Sequence, residues 1–285
     1  MNDRLPVFPL GSFFGMLHYG RHGGRPLHSE AGLQEKLAGS EKERYINRLF
    51  ATIAPRYDLL NSVISLGNHK RWRKTAVRMS GLTKGGKALD AATGTGDFAI
   101  DLARVAGESG MVVGIDFCLP MLEIAARKIG ERSTRHAEPV EARRMSGESP
   151  ITLAAANAES LPFESESFDC ATIGFALRNV SSVPATIAEL ARVVKPGGRV
   201  VSLEMVRPTA PILTPLWRMY FFKVMPALAR IFGAEGEAYD YLPRSVARFY
   251  SREELAEVFR DSGLSNVTAR GLMLGLVCIH MGIKQ

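Results

Sequence analysis

Two glycines one residue apart separate an apolar run from an amphipathic one in Ala88-Leu-Asp-Ala-Ala-Thr-Gly-Thr-Gly-Asp97. The approach to Asp90 is short and apolar, as a buried strand is, and Gly94 and Gly96 allow the backbone to turn close to a ligand before a helix begins near Asp97. A second apolar run, Met111 to Ile115, ends on Asp116, twenty residues after Gly96. A carboxylate there emerges at the end of a neighbouring strand, placed to accept both hydroxyls of a ribose. The pair of features predicts a pocket for an adenosine moiety at a strand edge.

The spacing Gly94-x-Gly96-x-x-Ala99 also fits a dinucleotide fingerprint, so it does not by itself separate NAD from S-adenosylmethionine. Charge favours the second. Asp90 and Asp97 flank a loop that would have to receive a pyrophosphate at a helix N-terminus, where like charges repel. S-adenosylmethionine carries a sulfonium and an ammonium and no phosphate, so an acid at the loop suits it.

The 285 residues are 46% hydrophobic and 23% charged, enough to bury the core of one large domain. Cys118, Cys170 and Cys278 are widely spaced and read as reduced core thiols, which points to an intracellular compartment. No His-Glu pair and no Gly-x-Ser-x-Gly nucleophile turn occurs, so no metal is expected. Glu41 to Lys87 holds eleven basic residues against three acids, a balance of +8 that accounts for the net charge of +7 and leaves the remainder close to neutral. Its centre is Lys70-Arg-Trp-Arg-Lys74, which reads as a solvated helix face or as a contact for anionic membrane, where tryptophan favours the interface. No RNA-binding module signature appears, so nucleic acid is not an expected partner.

Residues 1–40 are rich in Gly, Pro, His and Phe and lack sustained periodicity, which reads as an appended, flexible extension. The first helix is expected over Glu41 to Ala54, within a helical substrate cap spanning 41–80 of a single domain, 41–285. From Lys87 strands and helices alternate: Lys87 to Ala91, Asp97 to Ala106, Met111 to Asp116, Leu119 to Ile129 and Ile151 to Ala155. The series continues with strand Phe168 to Ile173, helix Val183 to Val194, a turn Lys195-Pro-Gly-Gly198, strand Arg199 to Glu204 and helix Arg252 to Ser262. Two late strands, Ser265 to Ala269 and Val277 to Ile283, suit an antiparallel edge hairpin. The fold class is therefore α/β, a Rossmann-like doubly wound sheet, mostly parallel with an antiparallel C-terminal edge. Charged, apolar-poor Glu131 to Pro150 reads as a surface loop insertion.

Five segments together resemble a known family: Asp90-Ala-Ala-Thr-Gly-Thr-Gly-Asp97, Asn157-Ala-Glu-Ser-Leu-Pro-Phe163, Phe168-Asp-Cys170, Gly174-Phe-Ala-Leu-Arg-Asn179 and Leu190-Ala-Arg-Val-Val-Lys-Pro-Gly-Gly198. They are similar to class I S-adenosylmethionine-dependent methyltransferases. Phe-x-Leu-Arg-Asn and the upstream Ala54-Pro-Arg-Tyr-Asp-Leu-Leu-Asn-Ser-Val-Ile-Ser-Leu-Gly-Asn-His-Lys-Arg-Trp72 look, more narrowly, like the demethylmenaquinone and ubiquinone-precursor C-methyltransferases. The resemblance implies that Gly94, Thr95 and Gly96 contact the methionine part of the donor, Asp116 its ribose, and Asn157 and Ala158 the adenine side, with Asp90 beside the loop. Gly174 stands where the family often has serine, so that side-chain contact is lost.

The same resemblance assigns Arg178 and the adjacent Asn179 to the substrate hydroxyl, with Tyr57, Asp58, Asn61 and His69 as further pocket candidates; His69 taken alone reads as a structural histidine. A guanidinium stays protonated, so Arg178 is better suited to stabilising a phenolate than to accepting its proton. Pro211 to Phe232 has apolar residues at helical spacing interrupted by Arg218, Lys223 and Arg230, an amphipathic lid rather than a membrane span. The expected reaction is C-methylation of demethylmenaquinol. The alternatives are a dual-specificity enzyme that also takes a ubiquinone precursor, another small-molecule methyltransferase, an NAD-dependent oxidoreductase and a non-catalytic S-adenosylmethionine-binding protein. Expected partners are an isoprenoid quinol, an anionic membrane and a second copy of the chain as a homodimer, with the protein cytoplasmic and peripheral on the inner face of the membrane.

Overall fold

A computed structural model describes residues 40–135, 150–209 and 237–285, with positions 215 and 219 between them. Among the described residues three short helices precede the first strand: α1 (Glu41–Ile53), α2 (Tyr57–Ile64) after a 3-10 turn Ala54–Arg56, and α3 (His69–Met79). Ser40 caps α1. Its hydroxyl accepts from the Glu43 backbone N–H at 3.1 Å while the Glu43 side chain accepts the Ser40 N–H at 2.7 Å, a reciprocal box that fixes where the helix starts.

The chain then winds β1 (Lys87–Ala91), α4 (Asp97–Ala106), β2 (Met111–Asp116), α5 (Leu119–Arg135), β3 (Ile151–Ala155), β4 (Phe168–Gly174), α6 (Val183–Val193) and β5 (Val194–Met205). It closes with α7 (Glu237–Ala247), α8 (Arg252–Asp261), β6 (Leu264–Leu272) and β7 (Val277–Lys284). The seven strands lie in the order β3-β2-β1-β4-β5-β7-β6. β5–β7 and β6–β7 pair antiparallel and the other pairs are parallel. Helices cover both faces, so the central strands read as continuous apolar runs: Leu89, Ile115, Ala171 and Val200 are fully buried. Truncating one of the interior residues, Leu89→Ala, has the cost of a core cavity, about 2–5 kcal/mol.

In three places the structure departs most from the sequence expectation. Lys195 to Gly198 is no free turn: β5 begins at Val194, and between Phe168↔Val194 and Cys170↔Arg199 the register slips, so these four residues bulge opposite Asp169. Gly197 has φ +79 and a Cβ on Gly198 would lie 2.5 Å from the Asp169 carbonyl oxygen, which is why glycine occupies both. The α5 helix continues through Arg135, past the expected end at Ile129. The α7 helix was not expected, and it carries Pro243 in its interior, a residue that argues against a helix. Residues 1–39, residues 136–149 of the expected insertion and most of the expected lid, Pro211 to Phe232, lie outside the described residues. All three cysteines are buried free thiols, and burial pushes each up to about 12, which leaves them unreactive.

Candidate active site

The C-terminal ends of β1, β2, β4 and β5 face three adjoining cavities, as expected where strand order reverses between β1 and β4. The first, about 670 Å³, lies over β1 and β2 and is lined by Gly94, Asp116, Asn157, Ala158, Gly174 and Asn179, among others. The Asp116 carboxylate forms its floor. It accepts the backbone N–H groups of Gly94 and Cys118, each at 2.8 Å, which hold it rigid. Burial pushes its carboxyl up to about 6, against the pull of those two donors. Asn157 donates to Glu43 at 2.9 Å and accepts the Glu159 N–H at 2.9 Å, so helix α1 is drawn down to the groove wall. A Cβ on Gly174 would sit 3.1 Å from the Phe98 ring, so the aromatic fills the space in which a serine side chain would otherwise stand.

The second cavity, about 520 Å³, is the mixed-charge end of the same groove, with Asp58, Asp90, Thr93, Thr95, Asp97 and Arg73 on its walls. Thr95 donates to Asp58 at 2.6 Å; Lys128 bridges Asp58 at 2.8 Å and Asp97 at 2.5 Å; Arg73 pairs with Asp97 at 3.0 Å and Asp101 at 2.5 Å. Asp97 is thus compensated by two cations. Asp90 is buried, accepts the hydroxyls of Thr93 at 2.6 Å and Thr172 at 2.8 Å, and burial pushes it up to about 7. The two acids therefore present less negative charge to a ligand than their sequence positions imply, and the case against a pyrophosphate does not rest on them. Asp58, Asp97 and Arg73 put both signs of charge on this wall, as the two ends of an amino-acid zwitterion require. Gly96 lines none of the three cavities. With φ +81 it caps α4, and its missing Cβ leaves room for Ala125, 3.0 Å from where that carbon would be.

The third cavity, about 950 Å³, is a largely apolar cleft walled by Phe50, Leu60, Ile64, Trp72, Leu242 and Leu276, with Tyr57, Asn61, His69 and Arg178 as polar members. The Arg178 guanidinium, 9% exposed, pairs with the fully buried Glu204 of β5. Glu204 also accepts the Met205 N–H at 2.8 Å; burial raises its carboxyl, and the Arg178 charge opposes that rise. Nε of Arg178 and the second oxygen of Glu204 are buried with no partner. Tyr57 and Phe175 belong to all three cavities, Phe175 in the left-handed conformation at φ +55.

The sequence-derived residues thus divide. Tyr57, Asn61, His69 and Arg178 meet in the apolar cleft; Asp58 does not, being held on the glycine loop by Thr95 and Lys128; and Asn179 lies on the first cavity's wall, its Oδ1 accepting the Tyr241 hydroxyl at 2.9 Å. Glu204, Lys128 and Tyr241 were missed. Glu204 carries a readable signal, an acid at the C-terminal end of a buried strand, as Asp90 and Asp116 are on β1 and β2. The basic cluster also splits: Lys70, Arg71 and Lys74 are exposed, while Trp72 turns into the cleft wall and Arg73 onto α4, so the tryptophan is not available as an interface anchor. Among the described residues no group of side chains could hold a metal ion.

This strand order and a rigid acid beneath the groove define a doubly wound nucleoside-type site, and the family to which the chain belongs makes it an S-adenosylmethionine-dependent methyltransferase of class I. The chain belongs to the ubiE/COQ5 methyltransferase family, whose model matches residues 38–284. It is 38% identical over 243 residues to the demethylmenaquinone methyltransferase of Alkalihalophilus pseudofirmus, covering 85% of this chain and 97% of that one. It is 40% identical over 245 residues to the enzyme of the same name from Roseiflexus sp., covering 86% and 95%. Among solved structures a SAM-dependent methyltransferase of Thermotoga maritima superposes with a TM-score of 0.54 at 21% identity, covering 84% of this chain and 99% of that one. The cyclase SpnF does so with 0.55 at 21% identity, covering 81% and 75%. These two share the fold alone, and the second shows that different chemistry can stand on it. The choice of methyl donor over NAD rests on the family.

Proposed function

We propose that this methyltransferase transfers a methyl group from S-adenosylmethionine to a ring carbon of demethylmenaquinol, with Asp116, Asn157 and the glycine loop holding the donor and the apolar cleft holding the quinol. The observation that carries the reading is the junction at Tyr57 and Phe175, where an apolar cleft with one guanidinium meets the donor groove. When bound, the donor supplies an electrophilic methyl on a sulfonium. The chain's part is to hold the quinol with its ring carbon facing that methyl and to make the adjacent hydroxyl ionisable. Arg178 lies in a site poor in water, where its charge stabilises a phenolate, and Glu204 and the Met205 backbone fix its direction. Incubation with methyl-labelled donor and chemically reduced demethylmenaquinone is expected to put label into the extracted lipid. Donor binding with no lipid label would move the substrate elsewhere. A parallel incubation with a ubiquinone precursor measures the second specificity.

The isoprenoid tail of such a quinol sits in a membrane, and no described helix is long and apolar enough to cross one. Two turns at the cleft mouth supply the contact in this proposal. Met273 both lines the cleft and is exposed; the next residue, Leu274, is 76% exposed; Leu66, 70% exposed, follows the cleft residue Ser65. Leu66, Met273 and Leu274 have φ of +50, +47 and +57, a costly conformation that holds apolar side chains outward. Lys70, Arg71 and Lys74 stand exposed on α3 beside the first turn, each adding about 1 kcal/mol near anionic lipid. The Leu66→Ser, Leu274→Ser double variant is expected to bind anionic vesicles at least tenfold more weakly, on the scale of about 1.5–3 kcal/mol per buried leucine. Its turnover of a short-tailed, water-soluble quinol should be unchanged. Equal sedimentation of both proteins with vesicles would remove these turns from the interface.

A further inference from the structure

Ionising a quinol leaves a proton to be placed, and a guanidinium cannot take it. Resting on the substrate assigned above, we propose that the imidazole of His69 is the general base of the transfer, accepting the quinol's phenolic proton on Nε2.

Position comes first. His69 opens helix α3, is 7% exposed, and lines both the apolar cleft and the mixed-charge end of the donor groove, a place it shares with Tyr57, Asn61 and Phe175. That boundary is where a ring carbon and a donor methyl must meet, so the adjacent hydroxyl of the ring falls on the cleft side of it.

The hydrogen bonds then settle which nitrogen is basic. The Ser65 hydroxyl donates to the Asn61 carbonyl at 2.6 Å, which commits its only proton. Ser65 Oγ also lies 2.7 Å from His69 Nδ1, and with its proton spent it acts there as acceptor. The His69 backbone N–H donates to the same oxygen at 3.3 Å, filling its second lone pair. Nδ1 therefore carries the hydrogen of the neutral ring, and the lone pair is on Nε2. A serine orienting an imidazole in this way is the arrangement of a positioned base.

The charges around the ring keep it neutral. Burial lowers its affinity for a proton, and Arg73 and Lys70 of the same helix act in the same direction; Asp97 of α4 and Asp58 of α2 oppose them. Both acids are engaged by Lys128. The other ionisable side chains lining the cleft do not compete: burial raises Tyr57, pushes Tyr241 up to about 12, and Arg178 is a cation.

The step balances without any further reactant. The O–H bond breaks and its proton goes to Nε2, giving an imidazolium and a phenolate. The ring carbon beside the phenolate forms a bond to the methyl carbon as the methyl–sulfur bond breaks, its electron pair staying on sulfur. The methylated carbon then loses its hydrogen to water, restoring the aromatic ring, while the imidazolium returns its proton to the oxygen. The net product is one methylated quinol, one thioether and one proton released to solvent.

The test uses His69→Asn, whose side-chain amide can still donate to Ser65 but has no basic nitrogen. Single-turnover methyl transfer is expected to fall by about 10²–10⁴, with donor affinity and urea midpoint held. The wild-type rate should fall on the acid side below the ordinary imidazole range, and this limb should vanish in the variant, whose rate should climb as alkali ionises the quinol itself. Independently of turnover, a nitrogen-correlated NMR spectrum of the ligand-free protein should show His69 protonated at Nδ1 and bare at Nε2. A variant that transfers at the wild-type rate, or a ring protonated at Nε2, would overturn the base while leaving the substrate assignment in place. No transfer by the wild type would remove both.

Discussion

Replacing Glu204 by alanine is expected to destabilise the protein by about 3–5 kcal/mol and to reduce methyl transfer by two orders of magnitude or more. Glu204 is fully buried and Arg178 nearly so, and their contact neutralises two charges that water does not reach. Removing the acid leaves the guanidinium in an apolar cleft and orphans the Met205 N–H as well. Arg178 would then turn towards solvent and vacate the point at which a phenolate develops. Glu204→Gln separates the two effects. It keeps an oxygen for Met205 and Arg178 but removes the negative charge, so it should recover part of the activity. Urea midpoints and single-turnover rates on the three proteins check this. Equal stability of wild type and Glu204→Ala would mean that the pair does not bear on the fold.

Asp116→Ala should weaken donor binding by at least about 100-fold, the scale of two hydrogen bonds to a charged acceptor at about 1.5–3 kcal/mol each. The carboxylate is immobilised before any ligand arrives by Gly94 and Cys118, so ribose hydroxyls meet an acceptor that need not reorganise. Affinity should also depend on pH. Burial pushes the folded-state carboxyl up to about 6, above its usual 3.8, so it loses its charge on acidification sooner than a free aspartate. Donor affinity in the wild type is therefore expected to fall as pH drops through about 6 and to be insensitive above 7. For the ligand-free fold the sign is opposite. A raised folded-state value stabilises at low pH, fully so below the unfolded value, and that contribution is lost as pH rises through about 6. Titration calorimetry across pH 5 to 8 on wild type and Asp116→Ala measures the first and urea midpoints over the same range the second; an equal affinity in the two proteins would put the ribose elsewhere.

Local pattern carried most of the fold. Apolar runs of strand length ending in Asp90 and Asp116, glycines where the backbone takes positive φ, and the helical spacing of α4 and α6 are properties of neighbouring residues, and they were legible. What was hidden depends on partners distant in sequence. Nothing near Asp97 announces Arg73 or Lys128, so its charge was overvalued as a repulsive element. Arg178 and Glu204 are 26 residues apart on separate strand ends, and their pairing follows from the β4–β5 register. Lys195 to Gly198 has turn composition and still lies within β5, because the sheet absorbs the extra residues as a bulge. In the run from Lys70 to Lys74, helical rotation sends Trp72 and Arg73 inward and the other three outward, so composition alone could not apportion them.

The walls of the apolar cleft come from parts of the chain that the central sheet does not need: α1 to α3 ahead of β1, α7 after β5, and the turn between β6 and β7. The groove proposed for the donor is lined by β2 and the loops leaving β1, β3 and β4, with α1 as its outer wall. In this proposal α2, α3, α7 and the β6–β7 turn bear chiefly on acceptor choice and β2 with the β1 and β3 loops on donor binding, whereas α1 and the segment after β4 serve both. Phe50, Tyr57, Asn61, His69 and Phe175 line both the cleft and the donor groove, and no new acceptor could be admitted through these positions without the donor registering the change.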